Sequence, residues 1–272
     1  KVVIVVSGGD VQPIRDLLRT FPDLIQVDVF DSYSGTPSLD FLLQYDSAVL
    51  MANNPSYDSS ALGDILADYV DAGGGVVMTL ASFISNWAVR GRFLDEGYGP
   101  FSVGTGPIGG GVLGNYDTGH PIMAGVQAAQ ADLLGDVELA PGAAWVASFS
   151  DGLPFIATKG NQVAAVNVFT ATSGHWAGDI PLILHNAIRW SQSVSWLTVV
   201  PLAGVVPPGE SIEISLLFDP GDLLGGEYHA VVEISSNDPD ESVIELPALM
   251  HVIGMPDIEL SASLIDFGPV YI

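Results

Sequence analysis

Residues 2–6 read Val-Val-Ile-Val-Val, apolar at every position and β-branched throughout. A run of this kind predicts a central strand covered on both faces. Ser7-Gly8-Gly9-Asp10 follows, with Asp10 as the expected N-cap and Ile14, Leu17 and Leu18 at helical spacing behind it. The pattern then predicts a strand over 24–30, a short helix over 39–43 and a buried strand over 48–51. A helix over 58–70 carries the stripe Leu62, Ile65, Leu66, Val70 and is stopped by Gly73-Gly74-Gly75; a strand over 76–80 comes next. Strands alternating with helices at this pitch predict a parallel, doubly wound α/β sheet.

From 104 to 115 the chain holds six glycines in 12 residues. An ordered irregular loop over the sheet edge is expected there, anchored by Phe101, Ile108, Val112 and Leu113. Runs over 144–149, 153–158 and 162–169 predict antiparallel strands with turns at Asp151-Gly152 and Gly160-Asn161. Asp179 is the expected cap of a helix reaching Trp190, with Pro181 in its first turn. After residue 194 the period becomes two: Ile212, Ile214, Leu216, Phe218, then Tyr228, Ala230, Val232, Ile234, then Ile244, Leu246, Ala248, Met250. With Pro, Gly, Asn and Asp clusters between them, these runs predict an all-β sandwich over 195–254. The α/β domain is expected over 1–194. A further module or linker strand is expected over 255–272, where Ile258, Leu260, Leu264, Ile265, Phe267, Val270 and Ile272 are too apolar for a solvated linker. That tail is expected to be extended and covered by protein outside 1–255, as in head-to-tail filaments.

Composition narrows the function. The 272 residues carry 32 acids against 7 cations, a formal charge of −25, and all seven cations lie at or before Arg189. Such a surface repels polyanions, which argues against nucleic acid and anionic lipid as partners. No cysteine is present, so disulfides, thiolate nucleophiles and thiolate metal sites are excluded. Mean hydropathy is +0.41, yet no apolar run approaches the roughly 18 residues needed to span a bilayer. The chain opens on Lys1 and a strand, and reads as a mature form or an excised piece.

The first 190 residues resemble the class I glutamine amidotransferase-like superfamily, and within it the ThuA-like, exported bacterial branch, a flavodoxin-like fold. The resemblance is carried by VVIVVSGGD at the start, DAGGGVVMT at 71–79, GHPIMAGV at 119–126 and WAGDIPLILHNAIRW at 176–190. Residues 195–252 resemble BACON and Hydin-type bacterial Ig-like modules, through SWLTVVPLAGVVPPGES and FDPGDLLGGEYHAVVEISSNDPD. PDIELSASLIDFGPVYI at 256–272 resembles the opening of a second such module.

The superfamily resemblance implies a Cys nucleophile on the sharp turn after the strand ending near residue 79. Here that turn reads Met78-Thr79-Leu80-Ala81-Ser82. Glutaminase activity by the thiolate route is therefore not expected. Ser82 is the candidate substitute, although its Gly-x-Ser-x-Gly context is missing and a helix-start serine is the simpler reading. His120, with Asp117, is a candidate general base or metal ligand at the carboxyl end of the sheet; the alternative is a loop-locking imidazole bonded to backbone. His175 and Trp176, an aromatic beside polar groups, are candidates for a carbohydrate site. His185 reads as helix packing, and His229 and His251 as surface residues of the β-rich part. Ser7, Gly8 and Gly9 offer free backbone N–H groups to an anion, or form a plain tight turn. A ligand beyond the carboxyl ends of the strands would gather these with Asn53, Asn54, Thr79 and Ser82. Asp238 and Asp240, in an acidic turn, are candidate calcium ligands or ordinary turn residues. No other cofactor is called for.

The reading that follows is a non-catalytic, exported surface scaffold or adhesion protein. Its expected partners are other copies of itself, surface proteins or carbohydrate, and it could build a filament or layer. The rival is a hydrolase or carbohydrate-active domain carried on Ig-like spacers, using His120 with Asp117 or Ser82.

Overall fold

Val2–Ser7 is buried at all six positions and forms β1, an inner strand of the parallel part of the sheet. Each fully buried Val or Ile contributes about 1.5–3 kcal/mol, which explains why no polar residue interrupts the run. The computed structural model describes residues 1–192, 194, 196–201, 204–221, 225–238, 240 and 243–253. The chain divides into two compact units, Lys1–Val194 and Ser195–Ile272.

In the first unit α1 (Gln12–Leu18), β2 (Val27–Asp31), α2 (Leu39–Leu42), β3 (Ser47–Ala52), α3 (Ser59–Asp71) and β4 (Gly75–Thr79) follow in turn. Then come α4 (Gly91–Asp95), β5 (Thr105–Ile108), β6 (Gly111–Tyr116), β7 (Ala129–Ala131), β8 (Leu134–Asp136), β9 (Ala144–Phe149), β10 (Pro154–Lys159), β11 (Val163–Val166), β12 (Trp176–Gly178) and α5 (Ile180–Ser191). One ten-stranded sheet runs β12-β7-β6-β9-β10-β11-β4-β3-β1-β2. Strands β2, β1, β3, β4 and β11 are parallel, and the remainder is antiparallel. The parallel order is that of a flavodoxin-like sheet, with the chain reversing direction across the sheet between β1 and β3. Helix α1 packs on α5, while α2 and α4 pack on α3.

Local chemistry sets several boundaries. Asp58 caps α3 by accepting the N–H groups of Ser60 and Ala61. Gly73, at φ +98, lies just past the C-cap Ala72 and takes the left-handed turn that ends the helix. At α1 the cap is Val11, not Asp10, whose carboxylate accepts the Gln12 N–H as a short turn. Asp179 precedes α5 but makes no cap hydrogen bond. Its Oδ2 accepts from the backbone of Gln127 and Ala128 instead, tying a distant loop to the helix start.

The glycine-rich stretch is not an irregular loop. It forms β5, which pairs with β8, and β6, which joins the main sheet beside β9. Glycine is required by close approach: a Cβ on Gly111 would lie 2.8 Å from the Phe149 ring, and one on Gly114 would lie 2.5 Å from the Phe149 carbonyl oxygen. Of the four expected anchors, Phe101 is buried and Leu113 packs partly against the core, whereas Ile108 and Val112 are exposed. The strand expected from residue 24 begins at Val27.

In the second unit β13 (Leu197–Val200) pairs with β14 (Ser215–Phe218), and β15 (Gly226–Ser235) pairs with β16 (Val243–Val252), both antiparallel. Trp196 is buried against Phe218 and Tyr228. The register places Tyr228, Ala230, Val232 and Ile234 opposite Met250, Ala248, Leu246 and Ile244, so the period-two pattern does select one face. Ile212 and Ile214 fall outside the strands. The described residues form two separate two-stranded ladders. The tail 256–272 lies outside the described residues.

Candidate functional site

Beyond Thr79 the chain turns sharply through Leu80 and Ala81. Ala81 has φ +79, one of two non-glycine residues in the left-handed region among the described residues. That conformation costs an L-residue roughly 1–2 kcal/mol. This left-handed turn follows the strand after which the amidotransferase resemblance expects a nucleophile, and the side chain at its left-handed residue is a methyl group. Ala81 is 1% exposed.

Ser82, the candidate substitute, is buried and hydrogen-bonded to its own turn. It is 3% exposed, and its Oγ donates to the Thr79 carbonyl at 2.6 Å. It does not start a helix: the next helical turn is a 3-10 turn at Ser85–Trp87. Thr79 is equally committed, donating to the Leu50 carbonyl at 2.9 Å and meeting Thr170 Oγ1 at 3.1 Å. The turn is also roofed. Leu80 donates its N–H to the Val168 carbonyl. Gly104 donates to Phe83 O, and Ser85 donates back to Gly104 O. Ile84 and Leu80 abut Gly135 so closely that a Cβ there would lie 2.9 Å and 3.0 Å from their side chains.

The Ser7–Gly9 turn is packed by protein as well. Ser7 Oγ donates to the Pro55 carbonyl, and Ser7 O accepts the N–H groups of Asn53 and Asn54. A Cβ on Gly8, at φ +68, would lie 2.3 Å from Asn54 Nδ2; one on Gly9 would lie 2.3 Å from the Ala171 carbonyl oxygen. The structure thus brings Ser7, Gly8, Gly9, Asn53, Asn54, Thr79 and Ser82 to one sheet edge, but as interlocking turns.

His120 does not join them. It caps a 3-10 turn at Pro121–Met123, its Nδ1 accepting the Ile122 N–H at 3.2 Å, and its ring lies 5.8 Å from that of Trp190. Trp190 belongs to the last turn of α5. The next residue, Ser191, meets Ser47 Oγ at 3.0 Å, at the first residue of β3. The end of α5 therefore lies at the amino edge of the parallel strands, opposite to the expected position of His120. Burial pulls the His120 imidazole below the usual histidine range, against the opposing pull of Asp117. Asp117 is exposed and accepts the Gly119 N–H in an Asx turn.

His175 and Trp176 do lie at the carboxyl edge, after β11. The His175 ring meets Phe169 edge-on at 5.4 Å, and its carbonyl accepts the Asp132 N–H. Trp176 opens the short strand β12, where a loop was expected. Its indole Nε1 is buried and without a hydrogen-bond partner among the described residues.

His185 is more than packing. It stacks on Phe21 at 4.1 Å, and its Nε2 meets Asp23 at 2.8 Å, pinning the loop after α1 to α5. His251 is exposed, 3.9 Å from Glu227. The His229 side chain lies outside the described residues.

In the acidic turn, the Asp238 carboxylate accepts the Asp240 N–H, and Asp238 donates its own N–H to Ser236 Oγ. These are turn bonds. Among the described residues no three His, Cys, Asp or Glu side chains converge on a point that a metal ion could occupy.

Two features escaped the sequence reading. Ala81 as the strained apex carried a signal only in its place after a buried strand. Asn167, whose side chain bonds Gly135 and Pro154, carried none, because it falls inside the run 162–169 that reads as a strand.

No protein-family model and no curated protein matches the chain. Solved structures similar to it include the following three. A ThuA-like protein from Bacteroides uniformis matches at 16% identity and TM-score 0.51, over 70% of this chain and 90% of its own. A cytoplasmic protein from Salmonella typhimurium matches at 15% identity and TM-score 0.53, over 70% and 98%. A second cytoplasmic protein from that organism matches at 14% identity and TM-score 0.51, over 71% and 97%. The extracellular or cell-surface location expected from the sequence is contradicted by these neighbours, since two of them are described as cytoplasmic. What the likeness establishes is the fold, a flavodoxin-like α/β domain with a large mixed sheet.

Proposed function

We propose that the α/β unit is a non-catalytic module, a scaffold that keeps an amidotransferase-like turn without its chemistry. The observation that carries this reading is Ala81, buried at the strained apex with a methyl group in place of a nucleophile. The nearest hydroxyl, Ser82, is spent on the Thr79 carbonyl, and no hydrogen bond links it to His120 or Asp117. A nucleophile needs a base within hydrogen-bond reach and a path for substrate. The interlocking of Gly104, Gly135 and Asn167 over the turn argues against such a path.

The β-rich unit fits an Ig-like spacer. Its support is the buried face formed by Val232, Ala248 and Met250 in the β15–β16 register and the aromatic cluster at Trp196.

The test is glutamine hydrolysis by the purified chain. No ammonia release above a heat-denatured control is expected. Release that disappears in Ser82→Ala would overturn the proposal.

A further inference from the structure

At the amino edge of the sheet, away from the roofed turn, lies a shallow pocket of about 260 Å³. Val70 at the end of α3 and Val163 at the start of β11 give it apolar walls, with Tyr98, Glu96, Gln162 and Lys159 around the rim. Lys159 is one of only two lysines in the chain. Its ammonium forms no ion pair or hydrogen bond among the described residues, in a protein with 32 acids.

The lysine is placed by two glycines. Gly97, at φ +71, would bring a Cβ to 3.4 Å from Lys159 Nζ; Gly142, at φ +78, would bring one to 3.9 Å from its Cε. Both positions take a left-handed turn that disfavours side chains. The missing side chains leave a slot in which the lysine stem runs toward the pocket. Glu96, the one carboxylate on the rim, is already held by Arg92 Nε at 3.0 Å. Gln162 is likewise occupied, its Nε2 donating to the Val70 carbonyl at 3.1 Å. The rim therefore keeps one uncommitted charge, and it is positive.

We propose that this pocket binds a small organic monocarboxylate, its anionic head on Lys159 Nζ and its short apolar body against Val70, Val163 and the Tyr98 ring. The volume lies just below the roughly 300–1,000 Å³ of pockets that hold drug-sized ligands, so a short-chain acid is the fitting class. The net charge of −25 does not forbid this, because exposed charges beyond about 8 Å are screened at physiological salt. A half-exposed ion pair with a few apolar contacts corresponds to a dissociation constant on the order of 1 mM.

Amine acetylation with a water-soluble N-hydroxysuccinimide ester, read by peptide mass spectrometry on the full wild-type chain, tests this with Lys1 as internal reference. Butyrate should slow modification of Lys159 saturably and leave Lys1 unchanged. At three times its dissociation constant the protection should be about fourfold, by simple mass action. Equal protection by n-butanol, equal slowing at both lysines, or no protection at all would each overturn the proposal. A second arm follows backbone amide shifts on titration with butyrate. Shifts confined to residues 96–98 and 160–163, and lost in Lys159→Met, support the site; shifts that persist in that variant overturn it. If Lys159→Met fails to fold, the wild-type protection decides.

Discussion

Asn167 and Gly135 exchange two hydrogen bonds. The Gly135 N–H donates to Asn167 Oδ1 at 2.8 Å, and Asn167 Nδ2 donates back to the Gly135 carbonyl at 2.9 Å. The same amide nitrogen donates to the Pro154 carbonyl at 3.0 Å. Asn167 is fully buried, so one side chain holds β8 and the start of β10 against the carboxyl edge of the sheet. Asn167→Ala would remove the side-chain partner of two buried Gly135 backbone groups, at about 1–3 kcal/mol each before relaxation, and of the part-buried Pro154 carbonyl. We expect a loss of about 3 kcal/mol in urea unfolding of the α/β unit. An unchanged midpoint would show that the roof is not held this way.

The strain at Ala81 has an opposite signature in two substitutions. Ala81→Gly removes the steric cost of the left-handed conformation but loses a buried methyl and loosens the unfolded chain. Stability should stay level or rise by up to about 1 kcal/mol. Ala81→Val puts a β-branched side chain at φ +79 under a closed roof and should cost at least about 2 kcal/mol. Thermal unfolding of both variants checks the contrast, and a stabilising valine would contradict it.

His120 predicts a pH dependence. Its folded value is depressed by burial, so the unfolded chain binds the proton more readily. Stability from this residue is complete above the ordinary value of 6.5 and falls as pH drops from there through the folded value. Protonation also removes the Nδ1 acceptor used by Ile122. In His120→Asn, which can cap the turn without titrating, the fall in melting temperature across that window should shrink. Parallel wild-type and variant curves would contradict the assignment.

Arg92 organises an acidic surface. Its guanidinium pairs with Asp68, Asp71 and Glu96, and the Tyr98 hydroxyl donates to Asp71 Oδ1 at 2.7 Å. Burial, then the bond to Asp71, push the Tyr98 hydroxyl up to about 12. Arg92→Gln leaves these carboxylates facing one another without a cation. The melting temperature should fall at low ionic strength, and added salt should narrow the gap by screening. A gap insensitive to salt would point to lost packing instead.

Much of the α/β fold was legible because its inner parallel strands are apolar at nearly every position and its helix α3 carries a regular stripe. Val2–Val6, the 48–51 run and the Asp58-capped helix needed no tertiary information. The glycine-rich 104–115 stretch was misread because its glycines answer to Phe149 and to Gly135's neighbours, contacts made only after folding. His120 was placed at the wrong edge for a related reason. Its partner Trp190 lies about 70 residues on, and sequence spacing says nothing of which end of α5 it meets. The site was legible as a position, the turn after Thr79, but not as a state: only the backbone reveals that Ala81 is the apex and that the Ser82 hydroxyl is already spent.

The most direct measurement is covalent labelling at that turn. The intact chain and Ser82→Ala are treated with a serine-reactive fluorophosphonate, and adducts are located by peptide mass spectrometry. A buried hydroxyl bonded to Thr79 O, beside a methyl apex, should give no adduct at Ser82 and identical spectra for both proteins. Stoichiometric labelling of Ser82, abolished by the alanine, would show an accessible, activated nucleophile and contradict the non-catalytic account.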